Sequence, residues 1–315
     1  MLSVLLPSRN EVYLEQTIRN VLANAEGEIE VLVALDGYLP DPPFDVHDNR
    51  ALFYPIEKAI GQRAAINFLA RQARGQYIMK LDAHCTVDKG FDVKLAADCE
   101  YDWTVIPRMY NLDVTTFKPR LIEDFDTAVR RAKVHDYLYI GINEKNELRT
   151  QYYGGGCKTL HRSRKDILID DTMSCMGPCF FMHKGRFWEQ GGCDENHEGG
   201  WGQQAVEVAC KAWLSGGSLK VNKKTWFAHW FRAGSGWPYP ISGRQVDRVR
   251  AYSKDLWMNN KWEKQTRPLS WLVEKFMDFI PGAPLQGWSE ENLKYIKDQG
   301  SKFYARKKEL VPACD

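Results

Sequence analysis

The sharpest chemical signal in the chain is Lys80-Leu81-Asp82-Ala83-His84-Cys85. An apolar run delivers Asp82 and His84 to its end, and residues two apart on an extended chain point the same way. A carboxylate and an imidazole placed so can share one metal ion. Mixed oxygen and nitrogen ligation suits Mn²⁺, with Mg²⁺ or Co²⁺ chemically possible, and such a cation neutralises charge developing on a diphosphate leaving group. The other reading of this pair is a capping Asp and a solvated His. A second signal is His229-Trp230-Phe231-Arg232, where His229 could complete a metal site and Arg232 could grip a phosphate bidentately; the alternative is an aromatic core strand with one incidental His. A third is Glu198-Gly199-Gly200-Trp201-Gly202-Gln203-Gln204 before a helical pattern. Glycines admit close backbone approach and a helix N-terminus favours negative charge, while Trp201 could wall a pocket; an ordinary glycine-rich loop with a buried Trp is the plainer reading.

The elements around these residues alternate. Leu2 to Leu6 is an apolar run ended by Pro7, followed by a helical pattern with Leu14, Ile18, Val21 and Leu22 on one face. Val31 to Leu35 is closed by Asp36-Gly37, and Pro40, Pro42 and Pro43 mark a loop. Leu52 to Tyr54 reads as a short strand, Gly61 to Arg74 as a helix, Gln76 to Leu81 as a strand, Phe91 to Cys99 as a helix and Trp103 to Ile106 as a strand. This alternation predicts an α/β fold, a mostly parallel sheet flanked by helices. Ligands in such sheets sit beyond the carboxyl ends of the strands, which points to Arg9-Asn10-Glu11, Asp36 and Asp82-Ala83-His84. Residues 108–175 are less periodic and read as an acceptor-side insertion. Cys179 to Met182 is a strand; Gln203 to Leu214 is a helix stopped by Gly216-Gly217; Leu219 to Val221 and Trp226 to Ala228 are short strands. From Gly243 onward Val246, Val249, Tyr252, Leu256 and Trp257 predict amphipathic helix. The expected division is a catalytic domain over 1–242 and a helical C-terminal extension over 243–315.

In order and combination, these segments resemble the GT-A fold glycosyltransferases, and the second half is similar to the catalytic domain of the polypeptide N-acetylgalactosaminyltransferases. Asp82-Ala83-His84-Cys85 stands where that family has Asp-Ser-His-Cys. Trp201 to Gly217 fits its Trp-Gly-Gly-Glu-Asn-x-Glu segment running to Trp-x-x-Gly-Gly. His229-Trp230-Phe231-Arg232, with Pro238-Tyr239 after it, fits its His-Val-Phe-Arg. Pro7-Ser8-Arg9-Asn10-Glu11 is similar to the Pro-x-x-Asn-Glu opening of family-2 transferases. The resemblance covers about 1–107 and 175–240. It implies a UDP-sugar donor and Mn²⁺ or Mg²⁺ on Asp82, His84 and His229. It further implies a nucleoside held by Asp36 and the Pro7 to Glu11 loop, with Gly61, Arg63 and Ala83 at the donor. Gly177 and Trp201 would line the sugar and diphosphate site, and Arg232 and Tyr239 would belong to a closing loop. Gln204 replaces the family's Glu. A Gln cannot take a proton, so base catalysis from 204 is not expected, and retention of configuration is; Glu198 and Glu207 are the nearby carboxylates, Glu207 with a structural role on its helix. Two other readings stay open: a sugar nucleotidyltransferase, and a non-catalytic nucleotide-sugar or nucleic-acid binding protein.

The bulk properties fit an ordinary globular protein. The 315 residues are 44% hydrophobic and 27% charged, with a formal net charge of +2 that neither favours nor excludes a nucleic-acid partner. The start has no basic stretch leading an apolar one, and no apolar run is long enough to span a bilayer. The family's signal anchor and lectin module find no counterpart, so no membrane association and a cytoplasmic location are expected. Eight cysteines are too few for a disulfide scaffold. Cys157, His161, Cys175 and Cys179 are candidates for a structural zinc. His161-Arg162-Ser163-Arg164-Lys165, with abundant aromatics, is a candidate surface for a polynucleotide acceptor such as the hydroxymethylated DNA of some viruses of bacteria; a protein hydroxyl is the other acceptor expected.

Overall fold

In the computed structural model, the described residues are 1–120, 134–153, 157–197, 202–232, 236, 239–279, 285 and 287–309. The strands are β1 (Leu2–Ser8), β2 (Ile29–Asp36), β3 (Ala51–Ile56), β4 (Tyr77–Leu81), β5 (Cys85–Val87), β6 (Trp103–Asp113), β7 (Lys118–Pro119), β8 (Leu138–Ile142), β9 (Leu148–Tyr152), β10 (Ile169–Asp171), β11 (Cys179–His183) and β12 (Ser218–His229). The helices are α1 (Leu14–Asn24), α2 (Gln62–Gln72), α3 (Phe91–Ala97), α4 (Cys157–Ser163), α5 (Lys184–Glu189), α6 (Gln204–Leu214), α7 (Gly243–Met258), α8 (Leu269–Met277) and α9 (Glu290–Glu309).

The main sheet runs β10-β12-β6-β11-β4-β1-β2-β3. Parallel pairing joins β4, β1, β2 and β3, and separately β6 and β12, while β11 lies antiparallel between β4 and β6. All eight residues of β2 are buried, as a strand covered by helices on both faces must be. β1 feeds α1 and lies between β2 and β4. The chain runs outward from β1 to β2 and β3 and then crosses back through α2 to β4 on the other side of β1, which opens a crevice at the carboxyl end of β1 where Arg9 and Asp82 emerge.

Two elements differ from the sequence reading. Leu219 to Val221 and Trp226 to Ala228 belong to one strand, β12. Its pairing with β6 shifts between Asn222 and Trp226, so residues 223–225 are extra on the β12 side. This is a bulge, closed by a 3.0 Å bond from the Lys224 amide to Asn222 Oδ1. The stretch 108–175 is also more regular than its sequence suggests: β8 and β9 form an antiparallel hairpin. Asn143 Oδ1 accepts from the Lys145 and Glu147 amides at 3.1 and 2.9 Å, and Asn146 sits at φ 59, turn chemistry that Asn tolerates.

The helices after residue 242 share the main core: Leu256, Trp257, Leu272 and Phe276 lie in the same apolar cluster as β1 and β2. Among the described residues no helix is long and apolar enough to cross a membrane.

Candidate functional site

Two side chains two residues apart and a third 145 residues further on meet at the ends of β4 and β12. After β4 the Asp82 amide donates to the Pro178 carbonyl at 2.8 Å, fixing the turn that carries Asp82 and His84. The next strand, β5, pairs with the end of β12 so that Cys85 faces His229, and the Trp230 amide donates to the His84 carbonyl at 3.2 Å. His84 Nε2 then lies 3.0 Å from His229 Nε2, and His229 Nε2 lies 3.5 Å from Asp82 Oδ2. The three ligand atoms all fall within 4.8 Å of one another.

The electrostatics favour ligand-ready forms. Burial alone would raise the Asp82 carboxyl, but the Lys80 ammonium and the two imidazoles outweigh it and hold the group well below the usual carboxylate range. Lys80 is fully buried within β4, with Nζ 2.5 Å from Asp82 Oδ1 and 2.8 Å from the Gly177 carbonyl. Burial, only partly offset by Asp82, lowers His229 to about 4, so its ring is neutral near pH 7. A divalent cation fits this set. Neighbouring ligands of a six-coordinate cation with bonds of about 2.1 Å stand about 3.0 Å apart, the separation between the two imidazole nitrogens.

Glu11 and Arg232 flank this group. Glu11 Oε2 is 3.0 Å from His84 Nδ1, and Oε1 pairs with the Arg232 guanidinium. The Arg232 guanidinium also lies 4.7 Å from the Trp230 ring centroid. Arg9 lies 5.3 Å from the centre of the Tyr239 ring, whose phenol burial pushes up to about 12. Glu11, expected at the nucleoside, lines the cavity and is tied to His84 and Arg232. Asp36 accepts from the Ile60 amide at 2.6 Å and the Gly61 amide at 3.0 Å, with Gly61 at φ 89 before α2. Its carboxylate fixes the wall formed by 59–61. Asp36→Ala is expected to lower the unfolding free energy by about 1–3 kcal/mol, read by urea denaturation.

Arg63 lines the cavity while its guanidinium is paired inside the protein. Expected at the donor, it is 2% exposed, donating from Nε to Glu207 Oε2 at 2.7 Å and to the Gly202 carbonyl at 2.9 Å. It reaches the cavity wall, but its charge is spent inside. Glu207 in turn lies 2.9 Å from Lys211 Nζ, and those two cations outweigh burial to lower its carboxyl to about 2. Glu207 is therefore part of the internal scaffold, and Arg63 anchors the end of the glycine-rich loop. Gln204 opens α6 with a buried Nε2 that finds no partner among the described residues. A Cβ on Gly177 would stand 3.6 Å from Gln204 Cβ. Glu198, Gly199, Gly200 and Trp201 lie outside the described residues, as does Pro238.

The zinc expectation is not met by its described members. His161 Nδ1 faces Asp136 Oδ2 at 3.4 Å, and Cys175 Sγ lies 4.0 Å from the Ala205 carbonyl oxygen. Burial pushes both the Cys175 and Cys179 thiols up. Among the described residues, Asp82, His84 and His229 form the metal-competent group; the Cys157 side chain lies outside them. The basic run is likewise divided: His161 is buried, and Arg164 Nη2 pairs with Asp170 at 2.5 Å while its guanidinium stacks 4.5 Å from Phe279. Arg162 and Lys165 remain exposed, and none of the run lines the cavity.

That cavity measures about 830 Å³. Pro7, Arg9, Asp36, Gly61, Ala83 and Gly177 line it with the triad, Arg232, Gln204 and Tyr239. Sequence reasoning missed several of its groups. Gln62 donates to Asp82 Oδ1 at 3.2 Å. Arg149 and Arg250 both line the cavity and both pair with Glu147, at 3.1 and 3.0 Å. Lys80 had a visible signal, since a charge inside a buried strand demands a counter-ion and Asp82 lies two residues on, on the same face.

Comparison with known proteins agrees with this architecture. A family model described as Glycosyl transferase family 2 matches residues 3–189. Human polypeptide N-acetylgalactosaminyltransferase 6 is 26% identical over 197 residues, 61% of this chain and 29% of that protein. Human polypeptide N-acetylgalactosaminyltransferase 3 is 22% identical over 269 residues, 82% of this chain and 41% of that protein. The chain thus spans well under half the length of these curated relatives. The crystal structure of GalNAc-T7 with UDP, GalNAc and Mn2+ superposes with a TM-score of 0.64 at 17% identity, over 99% of this chain and 58% of that one, and shares its fold.

Proposed function

Because the chain belongs to glycosyl transferase family 2 and has the GT-A fold, we propose that it moves a sugar from a UDP-sugar to an acceptor hydroxyl, with a divalent cation on Asp82, His84 and His229. The observation that carries this reading is the convergence of one carboxylate and two imidazole nitrogens, within 4.8 Å of one another, on the wall of a cavity of about 830 Å³. A cation bound there, Mn²⁺ for preference and Mg²⁺ next, supplies Lewis-acid stabilisation of the departing diphosphate. Lys80 keeps Asp82 ionised and aimed. Arg232 brings a bidentate guanidinium for phosphate oxygens. Arg9, Asn10 and Asp36 border the nucleoside, and Gly177 and Gln204 border the sugar. The UDP and Mn2+ named with the GalNAc-T7 structure support the same choice of donor and metal.

Retention of configuration is part of the proposal. Among the described residues the carboxylates lining the cavity are Glu11, Asp36, Asp82 and Glu195. Each is engaged: with His84 and Arg232, with two amides, with Lys80, and with Asn67 at 2.7 Å, respectively. None stands ready as a base to activate an acceptor from the opposite face. The acceptor hydroxyl, on a modified DNA base or on a protein, enters past Arg149, Thr150 and Arg250, which line the cavity without belonging to the donor loops.

The test is UDP release from a panel of UDP-hexoses and UDP-N-acetylhexosamines with Mn²⁺. Slow hydrolysis is expected without acceptor, abolished by a chelator and restored by added Mn²⁺. UDP with Mn²⁺ is expected to raise the unfolding temperature, equivalent to about 2.7 kcal/mol at a hundredfold excess over Kd. Neither release nor a thermal shift with any donor would leave the chain a scaffold without transferase activity. Offering hydroxymethylated DNA and a hydroxyl-bearing peptide separates the two acceptors.

A further inference from the structure

We propose that Glu11 is a positioning residue that fixes the tautomer of His84, and that Arg232 decides which way a group at position 11 can face. The inference rests on the cation reading above. Glu11 presents one oxygen, Oε2, to His84 Nδ1 at 3.0 Å and the other, Oε1, to the Arg232 guanidinium. The Glu11, His84 and Arg232 side chains are 7%, 11% and 10% exposed, so bulk water does not replace these contacts.

An ionised carboxylate only accepts hydrogen bonds. His84 Nδ1 must therefore carry the ring proton, which leaves the lone pair on Nε2, the atom that faces His229 Nε2 at 3.0 Å. A histidine binds a cation through the nitrogen without the proton, and the bond made by the other nitrogen selects it.

The second partner makes the arrangement directional. Arg232 has only donors. A Gln at position 11 has one oxygen and one NH₂. Its oxygen must face Arg232, so its NH₂ falls on His84 Nδ1. That nitrogen must then accept, the proton moves to Nε2, and the lone pair leaves the cation site. The same Gln without Arg232 is free to turn its oxygen to Nδ1 and restore the original tautomer.

The experiment is Mn²⁺ titration followed by electron paramagnetic resonance, with no donor present, on wild type and three variants. Glu11→Gln is expected to weaken Mn²⁺ binding about 10- to 100-fold, the usual effect of losing the partner of a ligating histidine. Arg232→Ala is expected to leave Mn²⁺ affinity unchanged. The double variant Glu11→Gln, Arg232→Ala is expected to recover most of the affinity, a rescue that a merely structural role for Glu11 would not produce. Wild-type affinity in Glu11→Gln, or a double variant as weak as Glu11→Gln, overturns the proposal. A wild type that binds no Mn²⁺ instead overturns the cation reading, so the two failures are distinct. Ring ¹⁵N shifts of the metal-free wild type, with His84 assigned against His84→Gln, test the same point without relying on a folded Glu11 variant. Nδ1–H is expected, and Nε2–H would refute it.

Discussion

His229→Gln is expected to lower UDP-sugar turnover about a thousandfold while leaving the chain folded. A ligand lost from the cation site removes charge stabilisation of several kcal/mol from the departing diphosphate, and each 1.36 kcal/mol is about a factor of ten in rate. This variant is cleaner than Asp82→Asn. The Lys80 ammonium is fully buried, and Asp82 is the carboxylate it pairs with at 2.5 Å; neutralising Asp82 strands that charge and costs stability as well as activity. Replacing His229 strands no buried charge, because Asp82 keeps Lys80 as its partner, and the ring Nδ1 has no hydrogen bond among the described residues to lose. Turnover measured alongside an unfolding curve separates the effects. A folded His229→Gln with wild-type turnover and metal response would remove the cation from the mechanism.

Glu207→Gln is expected to cost about 3–5 kcal/mol of stability, a large share of the 5–15 kcal/mol that natural domains possess. The carboxylate sits between Arg63 at 2.7 Å and Lys211 at 2.9 Å, all three side chains nearly sealed from water. Removing its charge leaves two cations buried. The pH dependence follows from the depressed carboxyl, about 2 in the fold against an ordinary 4.5. A group lowered by folding contributes stability in full above its ordinary range, and that contribution is lost as pH falls from about 4.5 toward 2. Wild type should therefore lose stability over that window more steeply than Glu207→Gln, whose amide does not titrate. Denaturant curves between pH 6 and pH 3 decide it, and equal slopes would mean that Glu207 is already neutral in the fold. Activity should fall too, since the same Arg63 holds the Gly202 carbonyl at 2.9 Å.

Legibility in the sequence followed the range of each interaction. The alternating first half and the pair Asp82 and His84 could be read directly, because strand alternation and spacing are local. His229 needed a motif resemblance, since its link to His84 is a β5–β12 pairing across 145 residues. The Arg63–Glu207 pair was hidden for the same reason: nothing near Gly61 to Arg63 announces a carboxylate 144 residues away. Glu11 looked like a loop residue for the nucleoside, as its partners His84 and Arg232 come from two distant segments. The β8–β9 hairpin was overlooked although Asn143 to Glu147 is a polar turn between apolar runs; the surrounding charge hid its alternation. β12 was split because Lys223, Lys224 and Thr225 interrupt the pattern where the strand bulges.

That irregularity in β12 has a consequence for how such a chain can change length. Three residues of β12 are extra relative to β6 ahead of Trp226, and the stretch beyond them must keep His229 opposite Cys85. A one-residue deletion there would either slip the pairing or turn the imidazole to the far side of the sheet. Indels in this stretch are therefore constrained by parity: changes of two can preserve the facing of the third ligand, whereas changes of one move it away even if the fold survives.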